Sequence, residues 1–177
     1  MNQRRTFLKS SVALASVIGL PALAKAAQPA KGERVLRLYN THTGESLKSV
    51  FWAEGQFIPD ALQDINKLLR DHRNDKIAPI DRNLLVLLND VGDKFGDAQL
   101  HIISGYRSPE SNAKLAARSN GVARHSMHMD GKAIDIRMPG KSLAQLHKAA
   151  MAARGGGVGY YPDSQFVHMD TGRVRYW

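Results

Sequence analysis

No cysteine occurs anywhere in the 177 residues of this chain, and that absence limits what it can fold into more than any other single feature. It excludes disulfides, thiol nucleophiles and cysteine-ligated structural zinc together. The fold must rest on an apolar core, which a chain of this length with 43% hydrophobic residues can build without staples. Any metal must be held by His, Asp and Glu. Such ligands suit a catalytic zinc, where three protein groups leave a fourth position free.

Residues 1–26 read as a signal peptide rather than as part of the fold. Arg4, Arg5 and Lys9 form a basic start, an apolar stretch runs from Ser11 to Leu23, and Ala24-Lys25-Ala26 supplies an A-x-A cleavage site. The apolar stretch falls short of the ~20 residues that span a bilayer. Arg4-Arg5-Thr6-Phe7-Leu8-Lys9 resembles the twin-arginine export motif, with Gln3 departing from the usual Ser or Thr before the pair. That resemblance implies export of a folded protein to the periplasm. Residues 27–177 are then expected to form a single monomeric domain without a membrane span. Loss of Arg4, Arg5, Lys9 and Lys25, with no acids beside them, takes the net charge from +9 to +5. A basic exported domain is drawn to anionic polymers such as peptidoglycan. Nucleic acid is a poor partner, because no compact Lys/Arg patch interleaves with aromatics.

Residues 35–39 and 46–52 read as two strands of a hairpin around the turn residues 40–44. Residues 59–73 and 81–95 carry apolar side chains at helical spacing, with Pro59 near one start and Asp81 as an N-cap. A strand at 99–103, a short helix at 109–118 closed by Asn120-Gly121, a strand at 132–138 and an Ala-rich helix at 143–153 follow. Gly155-Gly156-Gly157 breaks that helix and leads into strands at 158–161 and 166–170. Helices first, then strands interrupted by helices, predict an α+β fold with a small antiparallel sheet and flanking helices.

Three segments carry candidate chemistry. His128 and Asp135 stand seven apart, with Gly131 between them where the chain can turn at low steric cost. An imidazole before a turn and a carboxylate on the strand after it can reach one ion. His168 can add a third ligand from a neighbouring strand, with Asp170 on the same face of that strand. Spacing alone leaves a lone strand histidine open to a packing role.

Ser126, His128, Gly131, Ala133 and Asp135 together resemble the zinc signature S-x-H-x-x-G-x-A-x-D of the M15/LAS peptidases, whose fold hedgehog proteins share. Ser104-Gly105-Tyr106-Arg107-Ser108 is similar to that family's S-G-Y-R-S element. The stretch 47–57, the run 155–162 and residues 167–172 are closer still to the DUF882 subgroup, which includes exported murein endopeptidases. The resemblance covers nearly all of residues 27–177. It implies Zn2+ on His128, Asp135 and His168. It also implies zinc-dependent hydrolysis of amide bonds in peptidoglycan cross-links, including those between two diaminopimelate residues. The alternatives are a D,D- or L,D-carboxypeptidase trimming stem peptides, and a non-catalytic metal-containing module that binds the wall.

The same resemblance assigns Arg107 to a developing oxyanion or a substrate carboxylate; a fold-holding ion pair is the other reading. Ser126 either supports His128 or contacts substrate. Where many relatives of the wider family place a Glu or Asp base, three residues before the last histidine, this chain has Gln165, and an amide cannot take a proton. Asp170 and His125 remain as candidates for the base, with Asp170 alternatively orienting a ligand. Tyr160, Tyr161, Tyr176 and Trp177 can stack on sugar or peptide or serve packing, and Tyr160 is the expected substrate contact.

Overall fold

A computed structural model describes residues 32–96, 98–119 and 121–177. The signal peptide expected at 1–26 and Asn120 of the Asn120-Gly121 closure lie outside the described residues.

Among the described residues eight strands form one sheet: β1 (Arg34–Asn40), β2 (Ser46–Ala53), β3 (Gln56–Phe57), β4 (Leu100–Ser104), β5 (Ala133–Arg137), β6 (Gly157–Tyr161), β7 (Phe166–Asp170) and β8 (Arg175–Tyr176). Their order across the sheet is β3-β2-β1-β4-β5-β7-β6-β8. Among the described residues four helices accompany them: α1 (Pro59–Leu68), α2 (Arg82–Asp93), α3 (Pro109–Ala116) and α4 (Leu143–Ala153). The α+β expectation holds. The sheet is mixed rather than antiparallel throughout, because β1 pairs parallel with β4 and β6 parallel with β8. The β1–β4 pairing needs a long crossover, and α1 and α2 provide it.

Helices α1, α2 and α4 cover one face of the sheet. Alternate strand residues point into that layer: Leu36 and Leu38, Leu100 and Ile102, Ile134 and Ile136, Val167 and Met169. They meet Ile65, Leu84, Leu85, Leu88 and Leu146 from the helices, all essentially without solvent contact. The other face of the central strands is thereby left for polar side chains. No helix among the described residues is long and apolar enough to cross a membrane.

Two helix ends tie this scaffold to the polar face. Asp81 caps α2 as expected, accepting from Asn83 N at 2.9 Å, and its second oxygen accepts from Thr171 Oγ1 at 2.7 Å. Helix α1 ends at Leu68, five residues short of the periodic pattern. There Asn40 Nδ2 donates to Leu68 O, and the Asp71 carboxylate turns away to accept from Ser108 N, Ser108 Oγ and Arg73 N. A side chain that captures nearby backbone N–H groups competes with continuation of a helix.

Candidate metal centre

Residues 126–135 wrap one tight turn onto one strand. Met127–Asp130 is a short 3-10 turn whose first N–H groups include His128 N, donating to Ser126 Oγ at 3.4 Å. Gly131 closes it at φ +65°, and a Cβ there would lie 2.2 Å from Pro79 O, so only glycine fits. β5 begins two residues later and presents Asp135 on the polar face. In the sheet register Asp135 pairs with His168, and His168 with Gly159. The turn brings His128 over the same point. Candidate ligand atoms of His128, Asp135 and His168 lie within 4.8 Å of one another.

The hydrogen bonds determine which ring nitrogen each histidine offers. His128 Nδ1 lies 2.8 Å from Gly105 O, and a carbonyl only accepts, so Nδ1 carries the proton and Nε2 is free. His128 Nε2 faces Asp135 Oδ2 at 3.4 Å. His168 is held in the opposite sense: Nε2 donates to Asp170 Oδ2 at 3.2 Å and Nδ1 faces Asp135 Oδ1 at 2.9 Å. Burial opposes a charged His168, but the Asp135 and Asp170 carboxylates outweigh it and lift the ring to about 8. Burial also works against the Asp135 charge, while the His128 and His168 rings hold that carboxyl well below the usual carboxylate range.

These features fit a cation. One carboxylate and two imidazole nitrogens converge on one point, each imidazole has its other nitrogen anchored, and no thiol competes. A tetrahedral zinc with bonds of ~2.0–2.2 Å needs its ligand atoms only about 3.3 Å apart, within the spread seen here.

Asp170 stands behind His168 and is wholly buried. Its Oδ1 accepts from Gly157 N, Gly172 N and Arg175, and its Oδ2 from His168 and Arg175. Burial raises its pKa, but His168, Arg175 and those backbone donors together press it far below the carboxylate range. Both of its oxygens are occupied, and the bond from His168 Nε2 sets how that ring is turned.

Arg107 approaches from the loop after β4. Its backbone N donates to His128 O, and its guanidinium lies 3.9 Å from Asp135 Oδ2. Asn112 Oδ1 and Ser104 Oγ accept from its terminal nitrogens at 3.3 and 3.4 Å, while its buried Nε has no partner. Asn112 also holds the carbonyls of Ala123 and Arg124, fixing the opposite rim. Burial lowers the Arg107 pKa, with the Asp135 charge opposing.

A cleft of about 230 Å³ lies over this group, and Arg107, His125, Ser126, His128, Asp135 and His168 line it. His125 is exposed at the rim. Tyr160 is not there. Successive strand residues face opposite sides, so Tyr160 points into the helical layer, where its ring stacks on His147 at 4.7 Å. Tyr161 takes the expected place in the cleft, together with Phe166, Arg175 and Trp177. Counting pairs back from His168 would have found it, since Gly159 opposes His168 and Tyr161 opposes Phe166. Arg175 has no such signal, because its link to Asp170 depends on the turn at 171–174. Gln165 sits in the β6–β7 turn at φ +56° and bonds Pro162 O, away from the cleft.

The fold and site define a class: an α+β domain with a His-Asp-His group suited to a metal ion and an arginine beside it in one cleft. The comparisons agree on the family. The family model described as peptidoglycan L,D-endopeptidase MepK matches residues 28–177. The protein of that name from Escherichia coli (strain K12) is 42% identical over 178 residues, spanning 99% of this chain and 97% of that protein. A probable peptidoglycan L,D-endopeptidase MepK from Haemophilus influenzae is 37% identical over 179 residues, spanning 99% and 95%. The chain belongs to this M15-type peptidase family.

Proposed function

We propose that this protein is a zinc-dependent peptidoglycan L,D-endopeptidase that opens murein peptide cross-links between diaminopimelate residues. The observation that carries the reading is the convergence of His128 Nε2, Asp135 and His168 Nδ1 under a cleft that also holds Arg107. The relatives' names, peptidoglycan L,D-endopeptidases, support an endopeptidase acting on peptidoglycan, and the bond between diaminopimelate residues follows the family resemblance. The cleft is smaller than the ~300–1,000 Å³ that encloses a drug-sized ligand, which suits a short segment of a polymer.

His128, Asp135 and His168 would hold the ion. Zinc bound there supplies Lewis acidity and a nucleophile at neutral pH. The chain's own residues do the rest. Arg107 has donor capacity to spare and offers it to the oxyanion that develops on the amide carbonyl. His125 lines the cleft from its exposed rim, where its ring is placed to move the proton to the leaving amine. Asp170 and Arg175 keep His168 in the ligating orientation. The twin-arginine-like run Arg4-Arg5-Thr6-Phe7-Leu8-Lys9 supports action in the periplasm.

Purified sacculi test the proposal. The zinc-loaded protein is expected to convert cross-linked dimers into monomers, and chelation to abolish this. Shortened stems with intact dimers would point to a carboxypeptidase instead. Unchanged muropeptides would leave a wall-binding module. Cleavage that persists in His128→Ala after full metal removal would refute the metal-dependent reading.

A further inference from the structure

The cleft has a chemical polarity that the metal group and Arg107 do not use. One wall is aromatic. The Tyr161 and Phe166 rings stack at 4.5 Å, and Trp177 Nε1 donates to Tyr161 Oη at 2.7 Å. The indole lies 5.3 Å from the His168 ring, with the Arg175 guanidinium 4.9 Å from its centroid. It rests on β6 only because residue 159 is glycine: a Cβ there would sit 2.7 Å from Trp177 Cε2. Backbone bonds on both sides, Trp177 N to Val158 O and Tyr160 N to Trp177 O, fix its position along the strand.

Trp177 is nevertheless 49% exposed. A large aromatic held by its N–H, its backbone and a cation, yet half in water, is a preorganised contact surface whose exposed part is available to a ligand. Its distance from His168 decides what it can touch. An extended peptide advances only ~3.3–3.6 Å per residue, so a group lying on the indole belongs to a residue flanking the scissile amide. A sugar, several residues along the stem, does not reach it.

We propose that Trp177, steadied by Tyr161 and Arg175, is a substrate-positioning residue whose exposed indole surface receives the apolar part of the peptide residue next to the bond cleaved. This rests on reading the cleft as a peptidase site. Contact that is equal in ground and transition states appears in KM rather than kcat.

Steady-state cleavage by the zinc-loaded protein tests it, using cross-linked dimers with their sugars and the same peptides freed of sugar. Trp177→Ala is expected to raise KM about tenfold on both, with kcat within about twofold. Trp177→Phe should recover most of the loss, and zinc affinity should match wild type. An unchanged KM in Trp177→Ala, a defect confined to the sugar-bearing substrate, or a parallel fall in zinc affinity would each overturn the proposal. If the wild type cleaves neither substrate, the peptidoglycan reading fails and the proposal falls with it. Normal wild-type cleavage with an unaltered variant removes the indole's role alone.

Discussion

His168 and Asp170 lie two residues apart on one strand, and the carboxylate of the second accepts from Nε2 of the first at 3.2 Å. That bond directs Nδ1 at Asp135 and gives His168 the opposite ligating nitrogen from His128. The alternation of a β-strand places both side chains on one face. Arg175, reaching Asp170 Oδ2 at 2.7 Å, completes the chain of support.

Asp170→Asn separates orienting from proton transfer. Zinc affinity is expected to fall about 10–100-fold, as when the partner of a ligating histidine is removed. Turnover at saturating zinc should return to within a few-fold of wild type. A proton carrier would instead lose ~10²–10⁴ in turnover that added zinc cannot restore. Competition titration with a chelator and assays across zinc concentration read both quantities.

Arg107→Gln tests the oxyanion role. The expected loss is ~10²–10³ in kcat, the cost of removing one preorganised donor, with zinc affinity close to wild type. Arg107→Lys should not rescue it. A single ammonium cannot meet Asn112 and Ser104 while still pointing a donor into the cleft. Full activity in the lysine variant would make Arg107 a simple positive charge.

Much of this arrangement is legible in the residues themselves. Period-3.6 runs place α1 and α2, Asp81 announces its helix, and the resemblance of Ser126 to Asp135 to a zinc signature, with His168 downstream, points to the centre. What is hidden depends on contacts between distant segments. β3 and β8 are two-residue strands with no periodicity to read. The early stop of α1 depends on Asp71 meeting Ser108, 37 residues away. The choice between Tyr160 and Tyr161 turns on register, where a shift of one residue reverses every side chain.

Gly131→Ala should disable the centre through the backbone. A non-glycine residue at φ +65° costs about 1–3 kcal/mol, and the added Cβ must also displace Pro79 O from 2.2 Å. The chain there also receives Asp81 N at Gly131 O, so the disturbance reaches the start of α2. A drop in unfolding free energy of about 3 kcal/mol or more is expected, together with weaker zinc binding. Chemical denaturation with and without zinc measures both.

Asp71 gives the fold a specific acid sensitivity. Burial opposes its charge, but bonds from Ser111, Ser108 and Arg73 prevail and bring its pKa from 3.8 down to about 2. A carboxyl depressed in the folded state stabilises fully above its unfolded pKa and loses that contribution as pH falls through the folded value. The window is therefore pH 4 to 2, and the size is on the order of 2 kcal/mol. Other carboxyls titrate in the same range, so the difference between wild type and Asp71→Asn isolates this one. Unfolding free energies measured at intervals from pH 5 to 2 should converge as the pH falls. Curves that stay parallel would show that the Asp71 charge does not hold the Ser108 end of the Arg107 loop.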